Sequence, residues 1–352
     1  MRHIASRLRA VCAIAGLISV ALLASGGPAS AALPPVTCLV GLCPKPGPDA
    51  PQVPSEGLVH LFAPDGVWNK PLANDARLAP DSAGLVHALV SAVQDSGPWI
   101  NTSRYSVPVY VVAADQAPVR VTVNGFFSPG DRGYRLQQDF ASVPLPSNAR
   151  PADGSDAQLV VYQPSTGTLW DFWRLQKNLL GGWTAGWGGK LVGVSTNAGI
   201  MPPGYGATAT GLPLLGGLMT IDELRSGHID HALALSMPDT RADTFVWPAQ
   251  STDGRGGAGT VPEGTRFRLP ANLDIDALGL PPLTAMIAKA VQRYGAIVRD
   301  RAESVTLYGQ DPMPWTTTGY ADPYEPIFAG QYPSQILAPF PWDRLEAVAP
   351  PS

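Results

Sequence analysis

Four tryptophans, Trp170, Trp173, Trp183 and Trp187, fall within eighteen residues and are interleaved with Asp171, Arg174 and Gln176. Side chains alternate on a strand, so Leu169, Asp171, Trp173 and Leu175 share one face, with Trp170, Phe172 and Arg174 on the other. A carboxylate flanked by Trp and Leu is partly desolvated, which raises its pKa toward the range of a general acid. Indole faces stack on the apolar faces of sugar rings, and Asp, Arg and Gln hydrogen-bond their hydroxyls. The segment therefore reads as a glycan-contacting surface or as a Trp-rich core strand with Asp171 at its edge.

A second constellation runs from Thr220 to His231 and contains Asp222, Glu223, His228 and Asp230. Thr-x-x-Glu is a capping box and Gly227 a helix stop, so the plain role of Glu223 is to tie back to the Thr220 N–H. Read as a strand from His228 onward, the segment puts His228 and Asp230 on one face and His231 with Ile229 and Leu233 on the other. The two histidines then diverge and make a poor metal chelate. His231 is either a satisfied core histidine or a general base facing a cleft. Arg266 and Arg268 alternate with Phe267 and Leu269, as a solvated strand face or a bidentate grip on a substrate carboxylate. Asp253 opens a Gly-rich loop that connects strands or borders a cleft.

Several chemistries lack their signatures. The chain has no Gly-x-Ser-x-Gly elbow, no His-Glu-x-x-His, no Gly-x4-Gly-Lys-Ser/Thr and no Gly-rich turn for a dinucleotide. Serine hydrolase, zincin and nucleotide readings lose weight, and neither a metal nor a cofactor is expected.

The elements that must position these residues are short. Candidate strands are 106–112, 118–124, 158–162, 168–175, 228–236, 265–269, 296–300 and 304–309, many rich in β-branched residues. Pro164 to Gly167 carries turn chemistry, so 158–175 reads as a hairpin. One helix is expected after Ser82 as its cap, with Leu85, Val86, Leu89, Val90 and Val93 in one stripe. Another opens at Pro281-Pro282, aligns Leu283, Met286, Ile287, Ala290, Val291 and Tyr294, and stops at Gly295. Many strands with two or three helices predict a mainly β, α+β fold, with a β-sandwich or jelly-roll core.

The first 31 residues hold three Arg and no acid, then an apolar run and Ala29-Ser30-Ala31, the pattern of a cleaved signal peptide. Their removal changes the formal charge from −4 to −7. An acidic chain without basic runs argues against nucleic acid and anionic membranes, and no later apolar run suggests membrane insertion. Residues 32–55 are Pro-rich and read as a linker, with Cys38 and Cys43 close enough for a small disulfide loop. Residues 56–348 are expected to form a single globular domain.

Several motifs are shared with a known group of proteins. They include Val67-Trp68-Asn69, Pro98-Trp99-Ile100-Asn101-Thr102, Leu215 to Leu224, Asp230 to Leu235, Pro262 to Leu269, Arg293 to Asp300 and Pro341-Trp342-Asp343-Arg344-Leu345. On these the chain resembles a family of secreted actinobacterial proteins of largely uncharacterised function. The resemblance spans almost the whole folded region and implies a single unit, without an activity. From the residues, the expected function is cleavage of an extracellular or cell-wall polysaccharide. A hydrolase would pair Asp171 with Glu223; a lyase would use His231 as base, with Arg268 or Arg174 neutralising a uronate. Trp68, Trp173, Arg174, Trp187, Asp253 and Arg268 are the expected substrate contacts. The alternative is a non-catalytic glycan-binding or envelope protein.

Overall fold

A computed structural model describes Leu58 and residues 61–351. The expected signal peptide, Pro-rich linker and Cys38–Cys43 loop lie outside the described residues.

The longest helix, Ser82–Ser96, forms where the sequence predicts it, burying Leu85 and Leu89. Its stop is Gly97, whose N–H reaches Val93 O. Ser82 is not its cap, however: Asp81 holds that position without a side-chain bond. The Ser82 hydroxyl instead accepts the Ala347 N–H at 2.8 Å, tying the helix to the C-terminal strand. The second predicted helix, Pro282–Arg293, buries Ile287, Ala290 and Val291 and ends with Gly295 at φ +84°. A third, Arg132–Asp139, and four helices of six residues or fewer complete the α-helices among the described residues.

The protein is mixed, with strands predominating. The largest sheet has six strands in the order Pro98–Asn101, Val305–Tyr308, Leu233–Met237, Ala296–Arg301, Arg266–Arg268 and Glu346–Val348. A second has four: Val109–Val111, Leu159–Gln163, Thr168–Trp173 and Trp187–Val192. A third joins Val121–Val123, Trp183–Ala185 and Gln176–Lys177, and a two-stranded ribbon pairs Thr240–Phe245 with Val261–Glu263. The predicted hairpin is present, with Gly167 in the left-handed conformation at its turn. All three larger sheets contain parallel pairs, so strand pairing gives the jelly-roll expectation no support. The Leu233–Met237 and Ala296–Arg301 strands pair in parallel, the long chain between them running through the two-stranded ribbon, the Arg266–Arg268 strand and the Pro282–Arg293 helix.

Period-two alternation sorts side chains between three packed layers. Leu233, Leu235, Val298 and Leu307 face the long helices, packing with Leu89, Ile287 and Val291. On the other side Ala234, Ile297 and Tyr308 meet Val109, Val160, Leu169 and Leu191 of the second sheet. Beyond that, Val161, Trp170 and Phe172 pack on Val123, Leu136, Phe140 and Trp183.

Two segments depart from the strands expected of them for local reasons. The strand predicted from residue 106 begins only after Pro108, which has no N–H to contribute to a ladder. Residues 228–232 stay outside the sheet because Ala232 donates to Trp68 O at 2.7 Å.

Trp68, expected to contact substrate, is a core residue. It is 1% exposed, and its Nε1 donates to Gly199 O at 2.8 Å. Gly199, Gly216 and Gly217 make its slot, since a Cβ on any of them would strike the indole. Trp68→Ala is therefore expected to cost about 3–5 kcal/mol in urea denaturation, the range for truncating a buried Trp. A loss below about 1 kcal/mol would remove it from the core.

Candidate active-site cleft

At one end of the two larger sheets the structure opens into a cleft of about 980 Å3. Trp99, Asp300 and Thr306 come from the six-stranded sheet, while Gln158, Trp173 and Trp187 come from the four-stranded sheet or its border. Antiparallel pairing puts the end of Thr168–Trp173 beside the start of Trp187–Val192, which brings those two indoles to the same rim.

The aromatic walls are held from behind. Trp173 Nε1 donates to Asp156 Oδ1 at 3.1 Å, and the Arg174 guanidinium lies 4.3 Å from the Trp173 ring. Trp187 stacks parallel to Tyr205, centroids 6.3 Å apart, and donates to Gly204 O. Trp99 remains 37% exposed. Of the four clustered tryptophans, Trp170 and Trp183 are buried in the third layer, so the two that alternation separates from Trp170, or that follow the chain reversal, are the ones that reach the cleft.

Three acids meet at one wall, which Asp253 and Asp300 line and behind which Glu263 is buried. Asp253, Glu263 and Asp300 each offer an oxygen, and these oxygens all lie within 4.8 Å of one another. Among the described residues they are the one group of three that could hold a metal ion. Asp253 is exposed, with Arg301 Nη1 3.6 Å away. Asp300 is half-buried and accepts the Arg301 N–H at 2.8 Å and the Ala209 N–H at 3.3 Å. Glu263 is wholly buried; Thr240 approaches its Oε1 at 3.4 Å, and its Oε2 has no hydrogen-bond partner. Burial, with Asp253 beside it, pushes Asp300 up to about 6. Burial, reinforced by Asp300 and Asp253, pushes Glu263 up to about 8. Carboxylates this close relieve their repulsion by keeping a proton or by meeting a cation.

The expected pair Asp171 and Glu223 is not assembled here. Asp171 shares a face with Leu169 as alternation requires, but it is 0% exposed, between the sheets. Its Oδ2 accepts the Leu214 N–H at 3.2 Å, and burial pushes it up to about 7. It lines none of the described cavities. Glu223 forms the predicted capping box with Thr220 at the helix Ile221–Ser226. It borders a separate cavity of about 240 Å3 together with His231, Trp68 and Phe62.

His231 is fully engaged. Its Nδ1 lies 2.8 Å from Ala232 O and its Nε2 3.1 Å from Glu223. A carbonyl and a carboxylate both accept, so the geometry fits an imidazolium donating at both nitrogens and leaves no lone pair for a base. Burial disfavours the charged ring, but the Glu223 charge and hydrogen bond outweigh it and raise His231 above its ordinary value. Burial likewise works against ionised Glu223, and His231 and Thr220 overcome it and lower that carboxyl.

Arg268 is buried on Glu346 at 3.1 Å and on Ala73 O at 2.8 Å, so it grips its own chain rather than a substrate. Arg174 is exposed, at φ +54°, outside the cleft lining. Thus Trp173, Trp187 and Asp253 are brought together in this cleft, and Trp68, Glu223 and His231 in the smaller cavity, whereas Asp171, Arg174 and Arg268 line neither. Sequence reasoning missed Trp99, Glu263 and Asp300. A signal was available for Asp300, an acid where an apolar strand gives way to charged residues. Comparison with known proteins finds no matching family model, no similar curated protein and no similar solved structure.

The Glu223–His231 pair yields a stability prediction. The raised His231 contributes fully below its unfolded value of 6.5 and loses this as pH rises through its folded value. The lowered Glu223 contributes above 4.5 and loses this as pH falls through its folded value. Glu223→Gln keeps the cap, so it isolates the pair. Its stability deficit in urea titrations should be largest between pH 4.5 and 6.5, on the order of 3 kcal/mol, and shrink above that window. A deficit independent of pH would contradict the ion pair.

Proposed function

We propose that this chain is a secreted enzyme that hydrolyses an extracellular or cell-wall polysaccharide in the aromatic cleft, and that it is one of the actinobacterial family its motifs resemble. One observation carries the reading: Trp99, Trp173, Trp187 and a carboxyl pushed up to about 6 share a single cleft. Rigid indole faces suit sugar rings, and a carboxyl with that value is suited to protonating a leaving oxygen near neutral pH. We read the two facing sheets as a sandwich-like scaffold whose open end holds the glycan.

In this reading Asp300 is the general acid at the glycosidic oxygen. Asp253, exposed beside Arg301, is the nucleophile that forms the glycosyl–enzyme bond. Water then cleaves that bond with Asp300 acting as base. Glu263 lies behind them and keeps a proton that limits the local charge. Retaining enzymes hold their carboxyls about 5–5.5 Å apart and inverting ones about 6.5–9.5 Å. The Asp253 and Asp300 oxygens, within 4.8 Å of each other, stand closer to the first spacing than to the second. Hydrolysis is favoured over elimination because both His231 nitrogens are engaged and Arg268 is committed to Glu346. No cofactor enters this route.

The test is a screen of cell-wall and plant polysaccharides for released reducing ends, followed by Asp300→Asn on the best substrate. A loss of at least ~100-fold is expected, the scale of general acid catalysis. Wild-type turnover should fall as pH rises through about 6, because Asp300 must be protonated. The product should retain its anomeric configuration. An Asp300→Asn variant with wild-type turnover would overturn the assignment, and tight glycan binding without any cleavage would make the protein a binding module.

A further inference from the structure

Arg266 and Arg268 share a strand, but only one of them is answered by an acid. Arg268 is paired with Glu346 at 3.1 Å. Arg266 forms no ion pair among the described residues. Its guanidinium donates to the Val67 and Tyr294 carbonyls, and its Nε has no acceptor among the described residues. Burial, with no carboxylate to offset it, pushes Arg266 down to about 10, so it is still charged at neutral pH. A part-buried cation without a counterion is costly, and a bound anion relieves that cost.

This guanidinium opens into a cavity of about 500 Å3 whose lining shares no residue with the aromatic cleft. The cavity lies at the edge of the six-stranded sheet, where Arg266 pairs with Val348. Lys70 and Arg77, both exposed, line it as well, and neither forms an ion pair among the described residues. Asp65 is the one acid of that lining, so the local charge is positive. The remainder is apolar, with the Trp247 indole 46% exposed beside Pro71 and Pro248, and it contains no Ser, Thr, Asn, Gln, Tyr or His. Sugar hydroxyls would find no uncharged polar side chain there, whereas an apolar ring or chain finds an indole face and prolines. The open Nε edge of a guanidinium matches the two coplanar oxygens of a carboxylate.

We propose that this cavity binds an apolar carboxylate, its head on Arg266 with Lys70 and Arg77 flanking it, and its ring or acyl chain against Trp247. The site is independent of the polysaccharide cleft and of the chemistry assigned to it.

Calorimetric titration of the protein at pH 7 with 3-phenylpropionate, octanoate, 3-phenylpropanamide and glucuronate tests this. At least one of the two apolar carboxylates should bind about tenfold or more tighter than both the amide, which lacks the charge, and glucuronate, which lacks the apolar body. Whichever of the two binds more tightly identifies a ring or an acyl chain as the body. Arg266→Lys keeps the charge without the planar fork and should weaken carboxylate binding about tenfold. Because Arg266 also holds two carbonyls, the exposed pair Lys70→Gln and Arg77→Gln provides a second variant. It should weaken carboxylate binding about fivefold, leave amide binding unchanged and keep the wild-type melting temperature. Amide binding as tight as 3-phenylpropionate, carboxylate binding unaltered by either variant, or no binding of any probe would overturn the proposal. Glucuronate binding as tight as the apolar carboxylates would overturn it in favour of a sugar-acid site.

Discussion

The guanidinium of Arg299 is enclosed between the two large sheets, and much of the structure there is arranged around it. It is 1% exposed, donates from Nη1 to Leu214 O at 2.7 Å and Gly216 O at 3.0 Å, and lies 4.5 Å from the Tyr308 ring. Stranding a charge of this kind costs several kcal/mol unless its surroundings answer it. Tyr308, Asp300 and buried Asp171 stand close enough to interact with that charge, and Leu214 and Gly216 turn their carbonyls onto it. Gly216 and Gly217 also admit Trp68. The same cation thus anchors the interlayer core and stands next in sequence to the central acid of the cleft.

Placement of the cleft follows from strand direction. The parallel strands Leu233–Met237 and Ala296–Arg301 end where Val305–Tyr308 begins, so Pro238, Asp300 and Ser304 arrive at one edge. The four-stranded sheet contributes the matching end of its hairpin, where Trp173 and Trp187 sit in register. Between them the chain must leave the sheets, and polar backbone and charged side chains face water there while the layers behind remain apolar. A chemistry-bearing cleft at that end of the layers needs no separate domain.

Much of the local patterning was legible in the sequence, although the cap at Ser82 and the strand starts at 106 and 228 were not, and the long-range contacts were unreadable. Alternation along 168–173 correctly separated Asp171 and Trp173 from Trp170 and Phe172, and the Thr220–Glu223 box formed as spelled. Neither pattern says how deep a face lies. Asp171 became a buried counterion because another sheet covers it, and Arg268 was taken by Glu346, 78 residues away. Asp253 and Asp300 meet only because strand crossovers bring them together, and no local period encodes that contact. His231 is the satisfied histidine that one of its two readings expected, but not on a strand, because its segment pairs with Trp68 and the alternation used to orient it does not apply.

The central claim is that sugar rings occupy the Trp99–Trp173–Trp187 cleft with a glycosidic bond at Asp300. Its most direct test is a crystal structure of the Asp300→Asn variant soaked with a hexasaccharide the wild type cleaves. The expected result is density for sugar rings against those indoles, with a glycosidic oxygen within hydrogen-bond distance of the substituted side chain. Density for the sugar elsewhere, or an empty cleft at saturating hexasaccharide, would contradict it.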